Sequence, residues 1–399
     1  MKQRRPLCPP KFFLPLSPCN TPIRRCSVSR EEASHRILII RTGAFGDILM
    51  GTSLLASLRL AFPKAHLTWL VEHSEVQAID ANPYIDEYLQ WDSAFWKKML
   101  RRGLYPWWII QALRARKLLR EKKYDILISF QPEEWPLLLQ GVAAAMTVGI
   151  FDTFRRFYGV EQTSRYTRLY TYAYTHPNLP EHRIDQYLLT LEALGIPPAP
   201  YPLMSIGYTH EDSVCVDRFL SDQGITSDEH LIVLAPFTTW PTKCWNSERF
   251  VSLGDELALK GCGRIIIISS NKERSAAEIL AAQMLISPIV AGGSLSFRQM
   301  AALIDRASLV VSGDTGPMHV AAALMKPQVA LFGPTSPKWY GPKSANAISL
   351  LHPVPCGPCD QKACPNTGRE YMQCMTLLPV EEVIKAALHQ LEINNAHQI

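Results

Sequence analysis

The stretch "RILIIRTGAFGDILMGT" (36–52) indicates the fold class. Its first five residues, "RILII", are mostly apolar and β-branched, as is typical of a buried strand. Helical spacing of apolar and small residues follows up to Phe62, and a second strand-like run, "HLTWLV", lies at 66–71. A strand, a helix and a strand in so short a segment form a βαβ unit, which implies parallel strands joined by a right-handed crossover. The sequence therefore predicts an α/β fold.

The same alternation runs through the rest of the chain and is interrupted once. At "GIPPAPYP" (195–202), four prolines in eight residues exclude a helix or a central strand. We expect a disordered leader at 1–35, an N-terminal Rossmann-like domain at 36–195, a proline-rich linker at 196–205 and a C-terminal Rossmann-like domain at 206–399. The further predicted strands are 124–130, 230–236, 264–270, 308–314 and 328–334, and the predicted helices of the second half lie around 246–260, 272–285, 296–306 and 316–325.

Composition allows two domains with real cores, since the 399 residues are 47% hydrophobic. A formal net charge of +5 is small for this length and argues against a nucleic-acid-binding protein. The longest uncharged stretch, 135–151, is shorter than the ~20 residues that a membrane helix needs. The ten cysteines do not form a disulfide framework, which favours a cytoplasmic protein. The leader is also compatible with a transit peptide or a start codon placed too early.

The loop after the first strand raises the question of what Asp47 does. Gly43 and Gly46 allow close backbone approach there, but the loop lacks the G-x-G-x-x-G pattern and the Lys-Ser/Thr of phosphate-binding loops. An acid at this helix start would also repel a bound phosphate. From the residues alone, Asp47 stabilises its helix dipole, holds a ribose or accepts a proton.

The loop "SGDTGPMH" (312–319) is the better candidate for binding a diphosphate. Gly313 and Gly316 permit close approach, and the free N–H groups of a helix N-terminus attract anions. Either Asp314 or Thr315 is suited to cap this helix. His319, one turn further on, is either a ligand-facing residue or a histidine satisfied by its surroundings.

Two further loops in the second half offer polar side chains. "APFTTWPTKCW" (235–245) supplies the hydroxyls of Thr238 and Thr239 and the cation of Lys243. A lysine opposite the glycine-rich loop would neutralise charge on a leaving diphosphate. Glu273, after a later strand, is placed to accept hydrogen bonds from ribose hydroxyls.

Together these loops resemble glycosyltransferase family 9, the ADP-heptose:lipopolysaccharide heptosyltransferases. The resemblance extends from Arg36 to about Leu388 and is carried by "RILIIRTGAFGDILMGTSLLASLR", "APFTTWPTKCW" and "LVVSGDTGPMHVAAALMKPQVALFGPTSPKWYGP". It implies a GT-B architecture, in which two Rossmann-like halves face each other across a cleft. The nucleotide sugar would bind the C-terminal half and the acceptor the N-terminal half.

The resemblance also implies a role for each matching residue. Asp47 matches the general base, and Lys243 with the preceding threonines matches the loop facing the donor diphosphate. The signature that binds ADP-heptose is matched by Asp314, Thr315, Gly316 and His319. Family members invert the anomeric centre without a divalent metal, so no cofactor is expected for catalysis. Phe237 and Cys244 depart from the family pattern, which affects the expected donor contacts but not the class.

The leading hypothesis is therefore an inverting heptosyltransferase that builds lipopolysaccharide core. One alternative keeps the fold and chemistry but uses another nucleotide sugar or a protein hydroxyl. A second alternative is a non-catalytic nucleotide-sugar-binding scaffold. A carboxylate opposite a diphosphate site favours an enzyme, because a scaffold has no need of a base.

The segment 95–123 is strongly basic, with ten lysines and arginines, one acid and five interleaved aromatic residues. One interpretation is an amphipathic helix packed on its own domain. The other is a peripheral docking face for the inner membrane and the phosphates of lipid A. Nucleic acid is a poorer choice, because no nucleic-acid-binding motif accompanies the patch.

Four cysteines cluster near the C-terminus: Cys356, Cys359, Cys364 and Cys374. Thiolates so close in sequence suit a structural zinc or iron site, and related heptosyltransferases with an iron-binding finger exist. Free or redox-labile thiols are the alternative. A bound metal would staple a loop near the cleft without taking part in catalysis.

Overall fold

The computed structural model describes residues 34–131, 144–151, 167–175, 179–199 and 204–397. The predicted leader, apart from its last two residues, and the middle of the predicted linker lie outside these ranges. The fold consists of two parallel sheets flanked by helices.

The first sheet has six strands in the order β3-β2-β1-β4-β5-β6, and all its neighbours pair in parallel. This order places β1 in the centre: β2 and β3 are added on one side of it, and β4, β5 and β6 on the other. Such a switch of side opens a crevice at the carboxyl ends of β1 and β4. The strands are β1 (Arg36–Ile40), β2 (His66–Glu72), β3 (Glu87–Trp91), β4 (Ile126–Ser129), β5 (Met146–Phe151) and β6 (Tyr172–Thr175).

The second sheet repeats this plan in the order β12-β11-β10-β7-β8-β9. Counted from β7, its strands follow the same order as those of the first sheet, again all in parallel. The prediction of two doubly wound α/β halves is confirmed. The strands are β7 (Leu231–Ala235), β8 (Arg264–Ile267), β9 (Ile289–Val290), β10 (Leu309–Gly313), β11 (Gln328–Phe332) and β12 (Ala347–Leu351).

Helices cover both sheets and carry the crossovers. In the first half they are α1 (Phe45–Gly51), α2 (Leu55–Ala61), α3 (Ser93–Arg101), α4 (Tyr105–Glu121) and α5 (Arg183–Ala193). In the second half they are α6 (His210–Asp222), α7 (Ser247–Leu259), α8 (Arg274–Ala282), α9 (Phe297–Arg306), α10 (Gly316–Ala323), α11 (Pro337–Tyr340), α12 (Gln373–Thr376) and α13 (Val380–His397).

The central strands match the sequence prediction, whereas the edge strands were not predicted. β1, β7, β10 and β11 are almost wholly buried, so their residues are mostly apolar. The edge strands β3 and β12 are partly exposed and carry polar residues, which removes the apolar signal. The single helix predicted after β1 is two helices, α1 and α2, joined by the 3₁₀ turn Thr52–Leu54.

One apolar cluster spans both halves. Val310 of β10 and Ile37 of β1 belong to the same buried cluster. The described end of the linker packs on the first half, because the Asn82 amide donates to the Ser205 carbonyl at 3.0 Å. A methyl group on Gly207 would meet the Ala81 carbonyl oxygen at 1.7 Å, so this close passage requires glycine.

Among the helices of the described ranges, none is both long and apolar enough to cross a bilayer.

Candidate active site

The carboxyl-terminal edges of the two sheets enclose a cleft of about 790 Å³. α1 enters it from the first half, directly after β1, and α10 enters it from the second half, directly after β10. The lining therefore comes from both halves. It comprises Ala44, Phe45, Gly46, Asp47, Met50, Glu75, Leu179, Pro180, Glu181, Arg183, Gln186, Thr239, Trp240, Lys243, Asp314, Thr315, Gly316, His319, Trp339, Tyr340 and Asp360.

Two glycines let the starts of α1 and α10 come into contact. A methyl group on Gly46 would lie 2.6 Å from Cδ2 of His319. One on Gly316 would lie 3.3 Å from the ring of Phe45, and that ring packs at a tilt against Phe297 of α9, with centroids 3.9 Å apart. The glycines thus serve helix-to-helix approach across the cleft. Gly43 has no such neighbour within 4 Å.

Asp47 lies in the first turn of α1 and is largely buried, with 14% of its side chain exposed. The Arg41 guanidinium donates a hydrogen bond to Oδ2 of its carboxylate. Nε of Arg183 lies 3.9 Å from the other carboxylate oxygen, Oδ1. The residue at the N-cap position of α1 is Ala44, whose methyl side chain cannot cap the helix. The carboxylate is therefore held at the cleft by two cations.

Asp314 is engaged by two side chains of its own half. Its Oδ2 accepts from Nζ of Lys243 and from the hydroxyl of the buried Thr335, both at 2.6 Å. Lys243 also lies over the Trp240 ring, 4.4 Å from the centroid. An ammonium has three N–H donors, so the pairing with Asp314 leaves two that can turn to a ligand.

The prediction that Asp314 or Thr315 caps α10 is wrong. Thr315 precedes the helix, but its side chain makes no capping hydrogen bond, and the Asp314 carboxylate is turned to Lys243 and Thr335. Pro317 lies in the first turn, as expected. The N–H groups of this first turn therefore meet the cleft without a side-chain acceptor, in the arrangement that binds anions.

His319 is almost fully buried, and burial lowers its pKa to about 4. The nearby carboxylates of Asp314 and Asp47 act in the opposite direction but do not outweigh desolvation. Within the described part of the chain, its Nδ1 has no hydrogen-bond partner. A neutral imidazole with one polar atom unused thus lies between the two halves.

The remaining predicted residues are placed differently. Thr239 lines the cleft, whereas Thr238 donates to the Trp240 carbonyl at 2.7 Å and packs its methyl group on Gly313. Glu273 accepts from the N–H and hydroxyl of Ser270 in an exposed capping box. Neither Thr238 nor Glu273 is part of the cleft lining, and their role in donor binding stays a prediction.

Several cleft residues were not predicted. Arg183 begins α5, lies 5.8 Å above the Tyr340 ring and donates to Gln186 at 2.8 Å. A cation at a helix N-terminus opposes the helix dipole, and that mismatch was the available signal. Burial raises the pKa of the Tyr340 hydroxyl and that of the Glu75 carboxyl. Their positions depend on chain segments distant in sequence.

The four clustered cysteines are neighbours, but they do not form a complete metal site. Burial, followed by the charges of the other three thiols, raises the pKa of Cys374 to about 11. Sγ of Cys356 and Sγ of Cys364 each accept a hydrogen bond at 3.4 Å. Across the described ranges, no three His, Cys, Asp or Glu side chains are grouped so that they could hold a metal ion.

The chain is similar in sequence to proteins of known family. Residues 112–369 match the family model "Glycosyltransferase family 9 (heptosyltransferase)". Lipopolysaccharide heptosyltransferase 3 of Escherichia coli K12 is 24% identical over 345 residues, which cover 86% of this chain and 94% of the relative.

Solved structures agree with this match. A glycosyl transferase family 9 structure from Veillonella parvula superposes with a TM-score of 0.74 at 27% identity, covering 90% of this chain and 98% of that one. The E. coli heptosyltransferase WaaC with ADP has the same fold, with a TM-score of 0.64 at 22% identity and coverage of 88% and 99%.

Proposed function

Because this chain belongs to glycosyltransferase family 9, the heptosyltransferase family, we propose that it transfers heptose from ADP-heptose to a lipopolysaccharide core acceptor. The observation that carries the proposal is the meeting of α1 and α10 in one cleft. A carboxylate from the first half, Asp47, faces an uncapped helix N-terminus and Lys243 from the second. Relatives named as lipopolysaccharide heptosyltransferases support the acceptor class.

The proposed chemistry is a single displacement at the anomeric carbon. The acceptor oxygen forms a bond to the anomeric carbon while the bond between that carbon and the diphosphate oxygen breaks, so the configuration inverts. The hydroxyl proton passes to the Asp47 carboxylate, and the electron pair of the broken bond leaves with ADP. A positioned base of this kind contributes about 10²–10⁴-fold to the rate.

Two features of the second half suit the departing ADP. The first-turn N–H groups of α10 and the positive end of its dipole favour an anion. The Lys243 ammonium, held by Asp314 at 2.6 Å, is pre-positioned to meet growing negative charge. Together they would stabilise the leaving group with groups of the protein alone.

Arg41 and Arg183 complete the proposed site as positioning residues. Their guanidinium groups contact the Asp47 carboxylate and hold it at the cleft. The first half would therefore carry the acceptor and its base, and the second half the donor.

The decisive experiment measures ADP release from ADP-heptose with heptose-deficient lipopolysaccharide as acceptor. The wild-type chain is expected to turn over, and Asp47→Asn is expected to lose about 10²–10⁴-fold in kcat while its affinity for ADP stays the same. Loss of ADP binding in Asp47→Asn would instead assign Asp47 to the donor. ADP binding without turnover on any acceptor tested would contradict the enzyme proposal.

We also propose that the four cysteines, whose side chains are not grouped as ligands in the described ranges, draw together around a structural zinc or iron ion when it binds. The proposal rests on the donor set, since four thiols within 19 residues offer the soft ligands that both metals prefer. Elemental analysis of the purified protein should find about one metal per chain, lost in Cys374→Ser and retained in Cys215→Ser. A metal-free wild-type protein would contradict the proposal.

A further inference from the structure

The helical hairpin formed by α3 and α4 exposes an unusual amount of apolar surface. Nine of the nineteen large apolar side chains exposed in the described ranges lie between Phe95 and Leu118. Examples are Tyr105 at 60% exposed, Trp107 at 57% and Leu113 at 57%. A concentration of this kind on a folded surface marks an interaction site.

The exposed residues are not needed to attach the hairpin to its domain. Trp96 of α3 stacks on Trp91 at the end of β3, with ring centroids 4.6 Å apart, and meets Trp108 of α4 edge-on at 5.8 Å. Met99 and Leu119 are the side chains of the two helices that are buried. Asp92 caps α3 by accepting from the Phe95 N–H at 2.8 Å. The outer face is thus available while the inner face anchors the hairpin.

Apolar and basic residues occupy different parts of the hairpin. The turn and the first half of α4, residues 104–113, carry no charge and include Leu104, Tyr105, Trp107, Ile109 and Ile110. Eight cations flank this tip, and no acid occurs between 93 and 120. They are Lys97, Lys98, Arg101, Arg102, Arg114, Arg116, Lys117 and Arg120.

This distribution fits one kind of partner, the surface of an anionic lipid bilayer. Aromatic and aliphatic side chains enter the boundary between headgroups and acyl chains, while lysines and arginines pair with lipid phosphates. A second copy of this chain would bring like-charged rims together. Nucleic acid would leave the aliphatic side chains Ile109, Ile110 and Leu113 without a partner.

We propose that the α3–α4 hairpin docks the protein onto an anionic membrane by inserting its apolar tip at the interface. The chain enters α3 from the carboxyl end of β3, on the same sheet edge from which Asp47 reaches the cleft. Docking would therefore bring the acceptor side of the cleft towards the bilayer. This deepens the proposed function, for which a lipid-linked acceptor lies in a membrane.

Flotation of the full chain with vesicles tests the inference without donor or acceptor, so its failure would leave the proposed transfer reaction untouched. The protein should bind phosphatidylcholine vesicles that contain phosphatidylglycerol, and bind pure phosphatidylcholine much more weakly. Trp107→Ser/Ile110→Ser should weaken binding at least tenfold. Arg101→Gln/Arg102→Gln should weaken it by roughly fivefold for each cation and reduce the salt dependence.

The matched control is Leu259→Ser/Leu285→Ser, which removes two apolar side chains that are 70% and 84% exposed elsewhere on the protein. It should bind like the wild type. Unchanged vesicle binding by Trp107→Ser/Ile110→Ser would overturn the inference. So would a wild-type dimer that this variant converts to monomer, because the face would then be a self-association surface.

Discussion

Replacing Gly46 by alanine tests whether the cleft depends on contact between α1 and α10. The added methyl carbon would lie 2.6 Å from Cδ2 and 2.9 Å from Nε2 of His319. The optimal distance between two non-bonded carbon atoms is about 3.5–4.0 Å, so either the new methyl group or the His319 ring must move by about 1 Å. His319 is 4% exposed and has little room to retreat.

The expected cost follows from two opposing effects. Overpacking of this kind costs about 1–3 kcal/mol, while alanine is favoured over glycine in a helix by up to about 1 kcal/mol. Gly46→Ala should therefore lower the free energy of unfolding by about 0.5–2 kcal/mol, with an unchanged urea m-value. The displacement of α1 from α10 should also lower kcat/KM by about 10²-fold.

Gly43→Ala is the matched control for stability, because nothing lies within 4 Å of its added methyl group. Its free energy of unfolding should stay within about 0.5 kcal/mol of the wild type. In a His319→Ala background the obstacle is gone, so Gly46→Ala should no longer destabilise. If Gly46→Ala is as stable as Gly43→Ala, or if its cost persists without the histidine ring, contact with His319 does not account for the requirement for glycine at position 46.

Three further outcomes are expected. Burial holds the pKa of His319 at about 4 in the folded state, below the usual 6.5, so the unfolded chain binds the proton more readily. The stability contributed by the neutral ring is complete above about pH 6.5 and declines towards pH 4, by up to about 1.4 kcal/mol per pH unit; denaturation of His319→Gln at several pH values should lack this slope. Thr335→Val removes the hydroxyl donor to Asp314 and should cost about 1–3 kcal/mol in urea unfolding, whereas Thr335→Ser, which keeps the hydroxyl, should cost less than half as much. Lys243→Met should lower both stability and kcat, and adding Asp314→Asn should restore stability but not kcat; recovery of kcat in the double variant would show that Lys243 acts only as a structural partner.

The sequence was most informative where the chain is most buried. Central strands such as β1 and β10 are enclosed on both faces, so most of their residues are apolar. The glycine-rich ends of these strands indicated the two loops that meet in the cleft. The edge strands gave no comparable signal, because partial exposure tolerates mixed residues. The break between α1 and α2 lies in the buried 3₁₀ turn Thr52–Leu54, which the apolar pattern does not mark.

The repeated strand–helix alternation and the residue types at each strand end can be predicted from the sequence, since both follow from local periodicity and from the backbone needs of a turn. Which side chains become partners depends on the tertiary structure. Asp314 is suited to cap α10 when only its neighbours in sequence are considered, yet it binds Lys243, 71 residues away, and Thr335. Arg183 reaches Asp47 from the start of α5, far later in the chain. These pairings arise because parallel strands from distant parts of the chain end at one sheet edge. There, burial of charged groups makes the choice of partner a matter of three-dimensional distance and not of sequence spacing.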